Sequence, residues 1–317
     1  MTEFGLALSS EEHPPGDLVD LARRAEETGF EFAMVSDHFH PWVDAQGQSP
    51  FVWSVVGGIA QVTSRLRLGT GVTCPTIRIH PAIVAHAAAT SAVMMEGRFF
   101  LGVGTGENLN EHVTGEAWPA PDERLEMLEE AIEVMQLLWQ GGYQTHRGEY
   151  YDVDQARLYT LPDEPPPIAV AAAKPLAAEL AGRLADALVN VAPDAETIEA
   201  FDSAGGEGKP KYGQITGCWA ASTEEAAQTV REVWPNAALG GDLGYELKLP
   251  IHFEQATRDV TPEQLADSLP CGPDPERWLE EIREYQQAGY THVYFHQIGR
   301  DQDGFLRFWR DELEPRL

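Results

Sequence analysis

An α/β fold, a (β/α)8 TIM barrel, is what the sequence predicts, on three observations. Eight short apolar segments alternate with segments of helical periodicity. Polar residues gather directly after the strands, where barrels carry their chemistry. The 317 residues suit one barrel-sized domain, 1–317, better than two small ones. A doubly wound open sheet is the runner-up.

Phe4 to Leu8 reads as the first strand, and Pro14-Pro15-Gly16-Asp17 starts a helix with Leu18, Leu21, Ala22 and Ala25 on one face. Glu31 to Val35 is the second strand and Phe51 to Val62 a helix. Leu66 to Val72 is the third strand, followed by a helix from about Pro81 to Met95. Phe99 to Val103, too short for a helix, is the fourth strand, with a strongly periodic helix from Asp122 to Trp139 after it. Residues 140–166 form a polar excursion with a hairpin at Gly148 to Val153. Ile168 to Ala172, Ala187 to Val191, Tyr212 to Ala220 and His292 to His296 complete the set of strands. Helices are expected at Pro175 to Leu184, after Ser222, where Ser-Thr-Glu-Glu makes a cap, at Pro275 to Ala288 and at the C-terminus. Residues 140–166 and 242–269, the latter mostly helical, are expected insertions after strands four and seven.

The stretch from Arg98 to Glu111 concentrates the chemistry. A buried strand empties into Gly104-Thr105-Gly106, whose backbone can approach a ligand closely, and then into Glu107, Asn108, Asn110 and Glu111. A dinucleotide fingerprint fails here, because Glu107 stands where the third glycine belongs. The other strand ends offer Glu11, then Asp37, His38, His40 and Trp42, then Thr73 to Thr76, and Lys174 after the fifth. Imidazole and carboxylates at several strand mouths make an acid–base constellation. No metal is expected at Asp37, His38 and His40, because neighbours on an extended segment point to opposite sides.

Composition narrows the partners. Fifty-one acidic residues against 22 basic ones give a net charge of −29, a field that repels nucleic acid and anionic membranes. Only four bases are lysines, and the acids are spread along the chain. Molar salt shrinks the Debye length to about 3 Å and screens such repulsion, so a halophilic setting is expected. No run of about 18 apolar residues is present, and the N-terminus lacks a basic-then-apolar signal. Cys74, Cys218 and Cys271 are too scattered for a disulfide framework, and a cytoplasmic protein is the expectation.

Val35-Ser-Asp-His-Phe-His-Pro-Trp42, Leu68-Gly-Thr-Gly-Val-Thr-Cys-Pro-Thr76 and Leu101-Gly-Val-Gly-Thr-Gly-Glu-Asn-Leu-Asn-Glu111 resemble the luciferase-like barrel superfamily, and within it the F420-dependent oxidoreductases around glucose-6-phosphate dehydrogenase. Val293-Tyr-Phe-His296 and Glu312 to Leu317 agree as well. The resemblance implies coenzyme F420 in the barrel mouth and hydride passing between an alcohol or sugar carbon and C5 of the deazaflavin. His38 would be the base and Glu107 would sit near ring N1, while Trp42 and Glu11 would line the substrate pocket. Asp37, Thr105, Gly106 and Asn110 would hold the cofactor against a cis peptide at Gly71-Val72. Ala172, Ala173 and Lys174 stand where relatives have a glycine pair beside the cofactor's tail, and Lys174 could meet its phosphate as a point charge. The later half supplies no clear cationic clamp for a sugar phosphate, which argues against glucose 6-phosphate itself. Barrels of this kind are commonly homodimers. An FMN-dependent monooxygenase and a non-catalytic barrel binding a flavin or folate-like ligand are the alternatives.

Overall fold

A computed structural model describes residues 2–317. Ten strands form among them: β1 (Glu3–Leu8), β2 (Phe32–Val35), β3 (Arg67–Thr70), β4 (Phe99–Val103), β5 (Gln144–Arg147), β6 (Asp152–Ala156), β7 (Ile168–Ala171), β8 (Ala187–Asn190), β9 (Lys211–Gly217) and β10 (His292–Gln297). β5 and β6 make a separate antiparallel hairpin. The other eight close into a barrel in the order β1-β10-β9-β8-β7-β4-β3-β2. Because β1 pairs in parallel with both β2 and β10, the sheet has no free edge, and the open-sheet alternative is excluded.

Period two sorts the side chains. Phe32, Met34, Phe100, Val189, Tyr212 and Tyr294 fill the barrel interior, while Leu6, Leu8, Val35, Leu101 and Phe295 face the surrounding helices. Gly5 is required by that filling, since a Cβ there would lie 2.5 Å from the Phe32 ring.

Two strands end two or more residues early, and one helix is unexpected. β3 stops at Thr70, and the Gly71–Val72 peptide after it is cis. β9 stops at Gly217 instead of Ala220, because the Cys218 amide and carbonyl bond to Pro270 and Gly272. An unforeseen helix, Ala195–Phe201, follows β8 with Asp194 as its cap, accepting from Glu196 N at 3.0 Å. Two turns are too few for a 3.6-residue period to show in the sequence.

The two connecting segments are tied down from the helices. Glu130, on helix Pro121–Trp139, accepts the backbone N–H groups of Glu149, Tyr150 and Tyr151 at 2.8–3.1 Å and so carries the hairpin turn. Between β9 and β10, helices Leu243–Glu246, Pro250–Ala256 and Pro262–Ser268 fill the stretch expected to be helical. From there fully buried Phe253 packs with Val43 and Leu109 over the barrel mouth. No helix among the described residues is long and apolar enough to cross a membrane.

Glu26 repeats the Glu130 device before β3, accepting from Ser64 N, Arg65 N and Leu66 N at 2.6–2.9 Å. Its burial would raise the carboxyl pKa, but these amides overcome that and lower it to about 2. The folded value lies below the ordinary 4.5, so the contribution is complete above pH 4.5 and is lost as pH falls toward 2. Glu26→Ala is expected to cost about 1 kcal/mol at neutral pH, the usual worth of a part-exposed carboxylate cap. Denaturant unfolding of both proteins between pH 7 and 3 should show the difference narrowing below pH 4.5.

Candidate active site

Three predicted residues from three strand ends converge. His38 Nε2 lies 3.3 Å from Glu11 Oε1 and 3.5 Å from Glu107 Oε2. His38 Nδ1 is 3.3 Å from the His40 carbonyl, which can only accept. Both ring nitrogens therefore face acceptors, which favours the doubly protonated ring; when one proton leaves, the His40 carbonyl keeps the Nδ1–H and Nε2 is the basic nitrogen. Glu11 Oε2 is pinned by the hydroxyls of Ser9 at 2.9 Å and Ser36 at 2.7 Å.

The environment splits the two acids. Burial alone would raise the Glu11 pKa, but His38 and the Ser36 and Ser9 hydroxyls hold it below 4.5. Burial raises Glu107, Glu11 reinforces the rise, and His38 only partly offsets it. Burial would lower His38, yet the Glu11 and Glu107 charges outweigh it and raise the imidazole above 6.5. The surroundings thus favour the anion at Glu11 and the protonated form at Glu107 and His38.

Asp37 and Asn110, expected on a cofactor, have their side chains engaged within the protein. The Asp37 carboxylate receives the Arg78 guanidinium at 3.0 Å and the Thr73 hydroxyl at 2.8 Å. Arg78 also reaches Glu111, whose other oxygen takes the Arg78 N–H at 2.7 Å. Asn110 Oδ1 accepts from Phe39 N and His40 N, while its Nδ2 donates to Glu107 Oε2 at 3.0 Å. One amide therefore sets the loop carrying His38 and aims Glu107. His40 bonds to the Leu109 carbonyl at 2.9 Å, away from His38, so the three residues considered for a metal diverge.

Gly71 and Val72 lie at the end of β3 beside Gly104, Thr105 and Gly106 after β4. Gly106 has φ 79°, and a Cβ there would meet Cys74 Sγ at 2.5 Å. Ala172 is buried at the end of β7, while Ala173 and Lys174 are exposed, with Lys174 Nζ 2.6 Å from Asp242. Lys174 begins helix Pro175–Leu184 on the same rim.

A cavity of about 150 Å³ opens above His38, lined by Glu11, Trp42, Gly71 and Glu107 on one side and by Val191, Gln214, Trp234, Tyr294 and His296 on the other. Its lining holds no lysine or arginine. Trp42 stands 5.1 Å from the His38 ring, with Phe253 against its edge. Sequence reasoning missed Ser36, Arg78 and the whole second wall. The signal for that wall was the alternation His292-x-Tyr294-x-His296, whose period of two puts all three on one face. A larger hollow of about 320 Å³ between helix Pro15–Thr28 and residues 300–303 receives none of the predicted site residues.

Barrel, strand-end site and sequence motifs together define a class. A family model for luciferase-like monooxygenases matches residues 1–292, and the chain belongs to that family. Within it, the chain is 36% identical to an F420-dependent glucose-6-phosphate dehydrogenase of Nakamurella multipartita over 99% of this chain and 96% of that one. It is also 36% identical to the same-named enzyme of Nocardia farcinica, over 99% and 98%. An F420-dependent secondary alcohol dehydrogenase, solved with an F420–acetone adduct, superposes with a TM-score of 0.91 at 30% identity, covering 99% of this chain and 98% of that one.

Glu11→Gln should expose the electrostatics. Glu11 is the largest force raising the His38 pKa, so its neutralisation is expected to move that pKa toward 6.5 or below. A pH titration of the His38 imidazole by NMR should show the displacement. An unchanged value would mean that Glu107 alone sets it.

Proposed function

We propose that this F420-dependent dehydrogenase passes a hydride between its cofactor and the carbinol carbon of an uncharged alcohol or sugar, with His38 as the base. The observation that carries this reading is His38 Nε2 held between Glu11 and Glu107 at a cavity whose lining has no lysine or arginine. A phosphate group would find no lysine or arginine there and would lie beside the Glu11 carboxylate, which favours the uncharged substrate over glucose 6-phosphate. The FMN-dependent alternative is not favoured: the relatives at 30% identity or more are F420 enzymes, whereas the FMN-complexed Baeyer–Villiger monooxygenase is 19% identical and shares the fold.

The rim fits a flat ring system. Gly71-Val72 and Gly104-Thr105-Gly106 place small side chains at adjacent strand ends, and Glu107 lies beside them with a quarter of its side chain exposed. Thr105, Gly106, Gly71 and Val72 would hold the ring, and Ala172, Ala173 and Lys174 its tail. Bound there, F420 supplies the carbon that accepts or returns the hydride. The protein supplies position and protons. In the oxidising direction the neutral His38 takes the hydroxyl proton at Nε2 as the hydride leaves carbon. Glu107, kept protonatable by burial, holds a proton for release toward the ring. The Glu11 carboxylate stabilises the imidazolium that forms, and Trp42 covers its face. Oxidation needs the unprotonated ring, so its rate should fall as pH falls through the raised His38 pKa, while carbonyl reduction should fall as pH rises through it.

F420 absorbance followed at about 420 nm on adding alcohols tests the reaction. His38→Ala is expected to lower kcat by about 10²–10⁴-fold with F420 affinity nearly unchanged, the span of general-base catalysis. Glu107→Gln should change both affinity and turnover, since it removes a charge beside the ring. Near-normal turnover in His38→Ala would remove the histidine from the mechanism.

We also propose adaptation to high salt. The net charge of −29 supports this, as does the engagement of Lys174 with Asp242, Lys211 with Asp202, and Lys209 with two carbonyls, which leaves little positive charge to offset the acids. Melting curves should rise from about 0.1 M to multimolar KCl as the self-repulsion is screened. Equal midpoints would contradict it.

A further inference from the structure

The second wall of the cavity is built for hydrogen bonding. β10 and β9 pair in parallel with Tyr294 beside Gln214 and His296 beside Thr216, so these side chains stand together on the inward face. His296 is 2% exposed, and its Nε2 lies 2.9 Å from Glu12 Oε2. Glu12 Oε1 accepts the Gly299 N–H at 2.8 Å. A carboxylate used as acceptor at both oxygens takes the Nε2 proton, which leaves Nδ1 with its lone pair. Nδ1 has no hydrogen-bond partner among the described residues, although the ring lines the cavity. Nor has the Tyr294 hydroxyl, whose residue is 2% exposed and lines the same cavity. Gln214 uses its Nε2 on the Thr216 hydroxyl at 3.0 Å and keeps its carbonyl oxygen free. The Trp234 ring meets His296 edge-on at 4.3 Å.

Three polar atoms without a protein partner thus belong to residues that line the cavity, and an aliphatic alcohol bound there would strip them of water without replacing its hydrogen bonds. A substrate oxygen repays that cost. We propose that His296, set by Glu12, together with Tyr294 and Gln214 binds a second hydroxyl group of the substrate, so that the preferred substrate is a neutral polyol or unphosphorylated sugar. The adjacent residues Glu11 and Glu12 then serve two imidazoles: Glu11 charges His38 at the reacting carbon, and Glu12 fixes the tautomer of His296 at the distal hydroxyl. This inference rests on the alcohol-dehydrogenase reading for its kinetics but not for its binding measurement.

The experiment compares cyclohexanol, the cyclohexane-1,2- and 1,3-diols, and glucose, in two arms. In the kinetic arm, at least one diol or glucose should exceed cyclohexanol in kcat/KM by about 10²-fold or more, as expected of a site that hydrogen-bonds a substrate hydroxyl. His296→Phe keeps the aromatic contact with Trp234 and removes Nδ1, and Tyr294→Phe removes one hydroxyl. Each should reduce the preference by about tenfold or more, one lost hydrogen bond's worth, by lowering kcat/KM for the polyol more than for cyclohexanol. His296→Asn, which returns a polar atom near the Nδ1 position, should restore part of it. In the binding arm, calorimetric titration of the F420-loaded protein with the same compounds should show the polyol binding more tightly than cyclohexanol, and Tyr294→Phe weakening only the polyol. Should no alcohol be turned over, the dehydrogenase reading fails and the binding arm alone decides the second wall. Cyclohexanol binding as tightly as every polyol, or variants lowering both substrates equally, would overturn the proposal.

Discussion

Arg78 holds its guanidinium between Asp37 and Glu111, and so ties the ends of β2 and β4 to the segment after β3. All three side chains are almost wholly buried, which makes the arrangement expensive unless every charge is met. Here it is met: Thr73 completes Asp37, and the Arg78 N–H completes Glu111. The loops carrying His38, Gly71-Val72 and Glu107 are thus fixed relative to each other. Removing one member would leave a buried charge without its partner, a loss of about 3–5 kcal/mol in such networks.

On that frame the chemistry is placed by short-range means. Asn110 links the backbone at Phe39 and His40 to the Glu107 carboxylate, so a single side chain ties the loop that carries His38 to Glu107. Glu11 is oriented by two serine hydroxyls, and this keeps one of its oxygens free for His38. Such preorganisation matters because proton transfer contributes only where donor and acceptor are already within hydrogen-bond reach.

The segments outside the barrel complete the mouth. Phe253 packs with Val43 and Leu109 and meets Trp42 edge-on, while Trp234, from the turn after helix Thr223–Val233, closes the opposite wall over His296. The chain thereby turns an open barrel end into a cavity with two chemically different sides, one lined by the Glu11 and Glu107 carboxyls about His38, the other by Gln214, Tyr294 and His296.

The sequence by itself determined the barrel, its eight strands within a few residues, and which polar residues stand at the strand ends. Apolar periodicity, glycine-rich strand ends and the Asp37-His38 and Glu107 motifs are local patterns, and local patterns survive in one dimension. It also placed Glu11, because a polar residue just after a barrel strand has few directions to face. The tertiary structure decided how the site is divided. The Asp37 carboxylate meets Arg78, and the Asn110 amide meets Phe39, only when the strand ends are brought together. Glu12 and His296 are 284 positions apart, and only closure of β1 against β10 makes them a pair. Their significance is a matter of which atoms remain unpaired when the barrel shuts, and hydrogen-bond satisfaction is a property of the assembled interior, not of any segment of chain.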